Sequence, residues 1–471
     1  MNGDALRLVL RVNYDLIVIG GGPAGYVGAI RAAQLGKKVG VVERDRAGGT
    51  CLNWGCIPTK SLLRNADLYQ VMNHRAADFG FKFEGLGFDW AKIIGRSRGV
   101  ADKLAGGIEF LFKKNKIDYL RGDGTFKDAR TIVIKKADGT EETHTADKVL
   151  LATGTATRAL PNLPFNNTTV IGARAAMTLP TQPKRMVIMG AGAIGVEFAY
   201  FYNAFGTQVT LIEMMPRILP VEDDEISATL LKSFTKQGVK VLTGTKVEKT
   251  EVTPGGVKVT VQGEKGVAQT IEADVLLVAI GVTPVLPGGL DFKTDARGYL
   301  QTDDTYQTNV PGVYAAGDII GAPWLAHVAS WEALQCIEGI FHGKKPRKVS
   351  VFPGCTYCQP QVASVGLTER AAKDAGIKFR VGKFPFQASG KAQAVGETEG
   401  FTKILFGEPH GEVIGAHIIG PEATELIAEM GLAVNLEATS DEIEATIHAH
   451  PTLSEALHEA TGQAYGQAIH I

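Results

Sequence analysis

One glycine-and-acid unit occurs twice in this chain, and few features narrow the choice of fold as sharply. YDLIVIGGGPAGYVGAIRAAQLGKKVGVVER begins at Tyr14, and KRMVIMGAGAIGVEFAYFYNAFGTQVTLIEM repeats it 170 residues later. Gly20, Gly22, Gly25, Gly36 and Glu43 of the first answer to Gly190, Gly192, Gly195, Gly206 and Glu213 of the second, with 23 residues from leading glycine to acid in each. Each copy opens on a short apolar run suited to a strand buried on both faces. It then passes through the glycines into a helix and closes on a second strand that ends in the acid. Such a βαβ unit binds a dinucleotide. The first glycine permits the turn, the second lets the backbone approach a pyrophosphate, and the third lets helix and strand pack closely, while the acid accepts from ribose hydroxyls. The helix N-terminus faces the phosphate charge. Ordinary tight turns would account for one G-x-G-x-x-G, but not for two in matching context. Two dinucleotides on one chain imply electrons passed between them. At Glu213 a 2′-phosphate would meet a like charge, and Met214, Met215 and Pro216 supply no cation before Arg217, so the expected cofactor of the second unit is NAD and not NADP.

A length of 471 residues exceeds what one hydrophobic core organises, so several domains are expected. The 49 basic and 50 acidic residues nearly cancel, which excludes a global field for nucleic acid or an anionic membrane surface. No apolar run is long enough for a membrane span. MNGDALRLVLRVNYD is too short and too mixed for a secretory signal, although its two arginines leave a targeting remnant open. A cytoplasmic protein is expected. There a persistent structural disulfide is unusual, so a close cysteine pair points to catalysis or metal binding. The chain has five cysteines, and GGTCLNWGCIPTK places Cys51 and Cys56 within eight and thirteen residues of Glu43. Pro58 and SLLRNADLYQVM predict a helix beginning near Cys56. A thiol at a helix N-terminus is biased towards thiolate, the form that attacks a disulfide or donates charge to an electron-poor ring. Zinc is the other use of two thiols, but the spacing is not C-x-x-C and no His or Cys lies nearby to complete a tetrahedron.

GGTCLNWGCIPTK resembles the redox-disulfide signature of the FAD-dependent pyridine nucleotide-disulfide oxidoreductases. LLATGT at 150–155 and TNVPGVYAAGD at 308–318 resemble two flavin-domain motifs, and HAHPTLSEA at 448–456 resembles the C-terminal active-site motif. The likeness runs over nearly the whole chain. Within the family it is greatest to the flavoproteins that oxidise dihydrolipoamide for 2-oxo acid dehydrogenase and glycine cleavage complexes. The resemblance implies FAD and NAD as cofactors, lipoyl domains as partners, and a homodimer with shared active sites. It implies that Gly20, Gly22, Gly25, Glu43 and Gly124 hold the adenosine half of FAD, with Thr153 and Gly154 in the second motif. Asp318 would bind the ribityl and phosphate region, and Ala326 would present its amide to the pyrimidine end. Lys60 and Glu197 resemble the pair beside flavin N5, against a bland reading as two solvated helix faces. Gly190, Gly192, Gly195, Glu213, Val247 and Gly281 would contact NAD.

A dithiol must lose a proton before it attacks a disulfide, and histidine titrates in the needed range. His450 matches the family's base and Glu455 the carboxylate that orients it. Thr452-Leu453-Ser454-Glu455 also reads as a capping box, and the two oxygens of Glu455 allow both roles. His448 competes as base, and its place in the motif makes it a support residue. The implied relay runs from substrate thiol to Cys51, to Cys56, to FAD and on to NAD.

The expected fold is α/β. An FAD domain runs to residue 155, an NAD domain over 156–280, a return to the flavin core over 281–350, and an α+β dimerisation domain over 351–471. KKADGT at 135–140 predicts a hairpin turn. Gly281-Val282-Thr283-Pro284-Val285 departs from the family's G-R-x-P-N, which leaves the details of that crossover open. Trp54 is expected to pack near the adenosine or disulfide region. Cys355 and Cys358 read as structural thiols against a redox or metal role, and Cys336 as a buried apolar residue. Two other functions remain as alternatives: a glutathione-type reductase, disfavoured by Glu213, and a non-catalytic flavoprotein subunit, disfavoured by the complete set of Cys51, Cys56, His450 and Glu455.

Overall fold

A computed structural model describes residues 13–160, 162–263, 266 and 268–471, so the possible targeting remnant in residues 1–12 lies outside the described residues. The chain divides into two compact units. One gathers residues 13–61, Gly95–Arg158 and Gly281–Val349, and the other Leu62–Ile94, Ala159–Ile280 and Ser350–Ile471.

In the first unit, strand β1 (Asn13–Ile19) runs parallel to β2 (Val39–Glu43) and to the long strand Glu141–Leu151, with helix α1 (Pro23–Gln34) between β1 and β2. Leu16 and Val18 face one apolar cluster while Tyr14, Ile17 and Ile19 face another. A strand covered on both sides must be apolar throughout, which is why this segment reads as a continuous run and not an alternation. The sheet has seven strands. Its antiparallel part adds Asp123–Asp128 to a hairpin of Thr131–Lys135 and Glu141–Leu151, turned at Gly139, whose φ of +82° favours glycine. Asp138 Oδ1 accepts from Thr140 N at 2.9 Å within that turn.

In the second unit the repeat builds a five-stranded parallel sheet centred on Arg185–Met189, beside a three-stranded antiparallel sheet. A five-stranded antiparallel sheet from Pro353–Thr356 to Val413–Gly420 packs with the helices Ala423–Leu436 and Glu455–Ala464, an α+β arrangement of the expected class. Its strand Phe401–Gly407 is buried at every position, Lys403 included. The Lys403 ammonium reaches Asp223 at 2.9 Å, Glu225 at 2.8 Å and Glu369 at 2.5 Å. Burial works against its charge, but the hydrogen bonds to Glu225, Glu369 and Asp223 outweigh burial and hold the ammonium above its ordinary pKa. Among the described residues, no helix is long and apolar enough to cross a membrane.

Candidate active site

The first glycine loop is shaped by its own backbone. Gly20 has φ +105°, and a Cβ there would lie 2.3 Å from Ala152 O; a Cβ on Gly25 would lie 1.8 Å from Gly20 O. Neither position tolerates a side chain. Gly22 caps α1 in extended conformation with no side-chain cap, so the first amides of the helix remain for an anion. Glu43 Oε2 accepts from Gly21 N at 2.7 Å, which seats the acid at the loop.

The cysteine segment grows out of this loop. Gly48 N donates to Gly21 O at 2.8 Å, and a Cβ on Gly49 would lie 2.5 Å from Gly22 Cα, so the two backbones touch. From there a short helix α2 (Gly49–Trp54), which the sequence reading did not anticipate, carries Cys51. The buried Asn53 side chain fixes it by donating to Ala47 O and Gly49 O. The chain breaks at Gly55, and helix α3 (Cys56–His74) opens on Cys56, where a helix start is predicted. The two side chains are hydrogen-bonded to each other. That bond, then burial, pushes the Cys51 thiol up, while the Lys60 charge one turn into α3 opposes the shift. Trp54 lies against Arg98, whose guanidinium carbon is 4.3 Å from its ring centre, and its indole donates to Asp45 two residues beyond Glu43.

The other flavin-motif residues lie in the same unit. Gly124, on the strand Asp123–Asp128, approaches Val42 so closely that a Cβ would lie 3.0 Å from its Cγ1. Thr153 Oγ1 donates to Val285 O at 2.5 Å, and Gly154 O accepts from Val285 N at 3.0 Å. With Arg158 N donating to Gly281 O, these bonds tie the two segments of the crossover to each other. Asp318 accepts from Thr155 Oγ1 at 3.2 Å, and burial pushes its carboxyl up. Ala326 is the first residue of the helix Ala326–His342.

In the second unit the repeat has matching geometry. Gly190 has φ +100°, with Ala279 O 2.4 Å from a Cβ there, and Gly195 would clash with Gly190 O at 1.9 Å. Gly192 caps the helix Ala193–Ala204 without a side-chain cap. Glu213 accepts from Ala191 N at 2.7 Å and Met215 N at 2.8 Å. The next cation, Arg217, is paired with Asp224. Val247 lies half-buried on the strand Lys246–Thr253, whereas Gly281 belongs to the first unit. Glu197 is buried and accepts from Tyr357 N at 3.0 Å, and Lys60 is half-buried, so neither is a solvated helix face.

The C-terminal motif stands in the second unit. His450 Nδ1 meets Glu455 Oε1 at 2.8 Å, and Glu455 Oε2 accepts from Thr452 N at 2.8 Å. One carboxylate thus serves both the imidazole and half of a capping box; the Thr452 hydroxyl turns to Ala449 O instead of closing the other half. Burial opposes the charge of Glu455, but Thr452 and His450 outweigh it and hold the carboxyl below its ordinary range. The His450 side chain is 79% exposed, whereas that of His448 is 7% exposed, with its ring nitrogens at Thr446 O and Glu429 Oε1. That contrast favours His450 for exchange with a substrate. Cys358 is buried with its thiol donating to Pro360 O, Cys355 lies on a sheet strand, and Cys336 is buried in a helix. Among the described residues, no group of three or more His, Cys, Asp or Glu could hold a metal ion.

The family described as pyridine nucleotide-disulphide oxidoreductase matches residues 14–333, and its dimerisation domain matches residues 352–461. The chain is 44% identical to proteins named dihydrolipoyl dehydrogenase from Rhizobium etli and Zymomonas mobilis, over 97% of this chain and 99% of each of theirs. Among solved structures, LpdA from Mycobacterium tuberculosis is 28% identical and aligns with a TM-score of 0.86 over 95% of this chain and 98% of its own. The flavoprotein disulfide reductase RclA from Escherichia coli, 24% identical with a TM-score of 0.85 over 96% of this chain and 99% of its own, shares the fold.

Proposed function

The chain belongs to the pyridine nucleotide-disulphide oxidoreductase family, and from that premise we propose that it oxidises dihydrolipoyl groups to the cyclic disulfide and reduces NAD to NADH. FAD and NAD are its cofactors. The observation that carries the reading is the hydrogen-bonded Cys51–Cys56 pair on a segment seated against the first glycine loop. Both nucleotide loops fit their groups, since each has glycines where a Cβ would strike backbone and a helix N-terminus without a side-chain cap. We assign FAD to residues up to 155 and 281–350, NAD to 156–280, and dimerisation to 351–471. The dimerisation domain makes the protein a homodimer. In our reading the dithiol donors are lipoyl domains of 2-oxo acid dehydrogenase or glycine cleavage complexes, and the reaction runs in the cytoplasm.

The oxidised site holds Cys51 and Cys56 as a disulfide. His450 takes a proton from one substrate thiol, and the resulting thiolate attacks Cys51 Sγ, breaking its bond to Cys56 and releasing Cys56 as thiolate. The second substrate thiol then attacks the sulfur joined to Cys51, which closes the lipoyl ring, breaks the mixed disulfide and passes the proton of that thiol to the departing Cys51. Two electrons now reside on the cysteine pair. The helix N-terminus at Cys56 favours its negative charge, while Cys51, pushed up by Cys56 and by burial, keeps its proton. Glu455 steadies the imidazolium at His450 Nδ1. Bound FAD supplies a two-electron relay from these thiols to NAD.

The test is NAD reduction by dihydrolipoamide set against NADPH oxidation by glutathione disulfide. Turnover in the first assay only is expected, and the reverse would overturn the reading. In the same preparation Cys51→Ser should show long-wavelength absorbance from the Cys56 thiolate without added reductant, and Cys56→Ser none; the opposite pattern would exchange the two roles. Nucleotide choice is a separate prediction. Glu213→Gln with Met215→Arg removes the like charge, keeps an acceptor for Ala191 N, and sets a cation at a position that is 45% exposed. The ratio of kcat/KM for NADP to that for NAD should rise by about tenfold to 100-fold, the effect of one or two charge-assisted hydrogen bonds. An unchanged ratio would show that Glu213 does not select the nucleotide.

A further inference from the structure

Glu332 lies six residues beyond Ala326 on the same helix, among Val328, Ala329, Ala333 and Cys336, and is 9% exposed. A carboxylate buried in such company is costly unless its charge is met by a donor. Helix side chains lean towards the N-terminus, so this one reaches back along the helix to the turn before it. There Glu332 Oε2 accepts from Gly317 N at 2.8 Å. Gly317 has φ +80°, and a Cβ would lie 3.1 Å from Ala329 Cβ and 3.2 Å from Ala24 Cβ. The Gly317 peptide is therefore wedged between α1, which starts at the first glycine loop, and the helix that starts at Ala326. Its successor Asp318 is held from another side by Thr155 Oγ1.

We propose that Glu332 is a positioning residue for the flavin, which fixes the Gly317–Asp318 turn between the two helix N-termini by holding the Gly317 amide. The proposal rests on the reading that Asp318 and Ala326 face FAD. Glu332 connects them: it is anchored on the helix that Ala326 opens and bonded to the peptide that precedes Asp318.

The surrounding charges give the arrangement a signature. Burial pushes the Glu332 carboxyl up to about 6; the Gly317 amide and the Lys348 charge oppose this, and the Asp318 charge adds to it. Tyr306 and Cys336, the other titratable groups interacting with it, are both pushed up by burial and stay neutral. Lys348 lies over the Tyr306 ring at 3.9 Å. As pH falls through about 6, Glu332 gains a proton, its bond to Gly317 loses charge assistance, and the hold on the turn weakens.

The test is the rate at which the flavin-loaded protein releases its fluorescent cofactor in sub-denaturing urea, followed from pH 7.5 to pH 5.5. Glu332→Leu should speed release about tenfold or more at neutral pH, the effect of losing one charge-assisted hydrogen bond. Glu332→Gln keeps an acceptor, so its release should stay within about threefold of wild type at neutral pH. It should also lose the acceleration that wild type shows below about pH 6. Release from Glu332→Leu at the wild-type rate, or a wild-type pH profile in Glu332→Gln, would overturn the proposal. If Glu332→Leu does not fold, the Glu332→Gln profile decides alone. Wild-type protein that carries no flavin would instead sink the cofactor reading on which the proposal stands.

Discussion

Mixing Cys51→Ser subunits with His450→Gln subunits is expected to restore about one quarter of wild-type activity from two inactive proteins. Each variant alone should be dead. The first lacks the sulfur that the substrate attacks, and the second lacks the base, a loss of about 100-fold to 10,000-fold. Cys51 and His450 belong to different units of the chain. We read the His450–Glu455 pair of one subunit as serving the cysteine pair of the other. In a mixed dimer, one site then holds both mutated residues and the other holds neither. Random pairing makes about half the dimers mixed, each with one good site of two, which yields the quarter. If each chain served its own cysteines, every site in every mixture would lack one residue. Activity that stays absent after subunit exchange is verified by mass would therefore refute the shared site.

Lys403→Met is expected to destabilise the protein by about 3–5 kcal/mol, read as a fall in the urea midpoint of unfolding. The methionine fills the space of the lysine stem, so the loss is electrostatic. Asp223, with 2% of its side chain exposed, and Glu369 and Glu225 beside it would keep their charges and lose the cation between them. Pairing Lys403→Met with Asp223→Leu should recover part of the loss, because the most buried carboxylate goes with its partner. A single variant as stable as wild type would show that solvent reaches the cluster. The sign with pH follows from the carboxyls: burial raises those of Asp223, Glu225 and Glu369, but hydrogen bonds from Lys403 to Asp223, from Lys383 and Lys403 to Glu225, and from Lys373 and Lys403 to Glu369 outweigh it and hold all three below their ordinary values. Their contribution is present at neutral pH and is lost as pH falls below about 4.

The nucleotide loops were legible because their constraints are local. A positive φ at Gly20 and Gly190, and a carbonyl under 2 Å from any Cβ at Gly25 and Gly195, operate within a few residues and leave a glycine at each place. The same holds for the helix start at Cys56 and for Glu455, whose partners His450 and Thr452 lie five and three residues away. Helix α2 escaped notice because GTCLNW is too short to show a period, and its stability comes from the Asn53 amide and the Gly22 contact. Glu332 carried only a faint signal, one acid among the apolar positions of its helix.

By itself the sequence determined two dinucleotide loops, a redox pair beside the first, and a base with its carboxylate, since each needs particular residue types at short fixed spacing. Only the tertiary structure decided that Lys403 is buried with acids up to 180 residues away, and that Glu197, a buried acid, takes the amide of Tyr357 at a separation of 160. No spacing rule reaches so far. An isolated lysine in an apolar strand reads as an error of pattern until folding brings its counter-charges, because the cost of burying a charge is settled by neighbours in space and not in the chain.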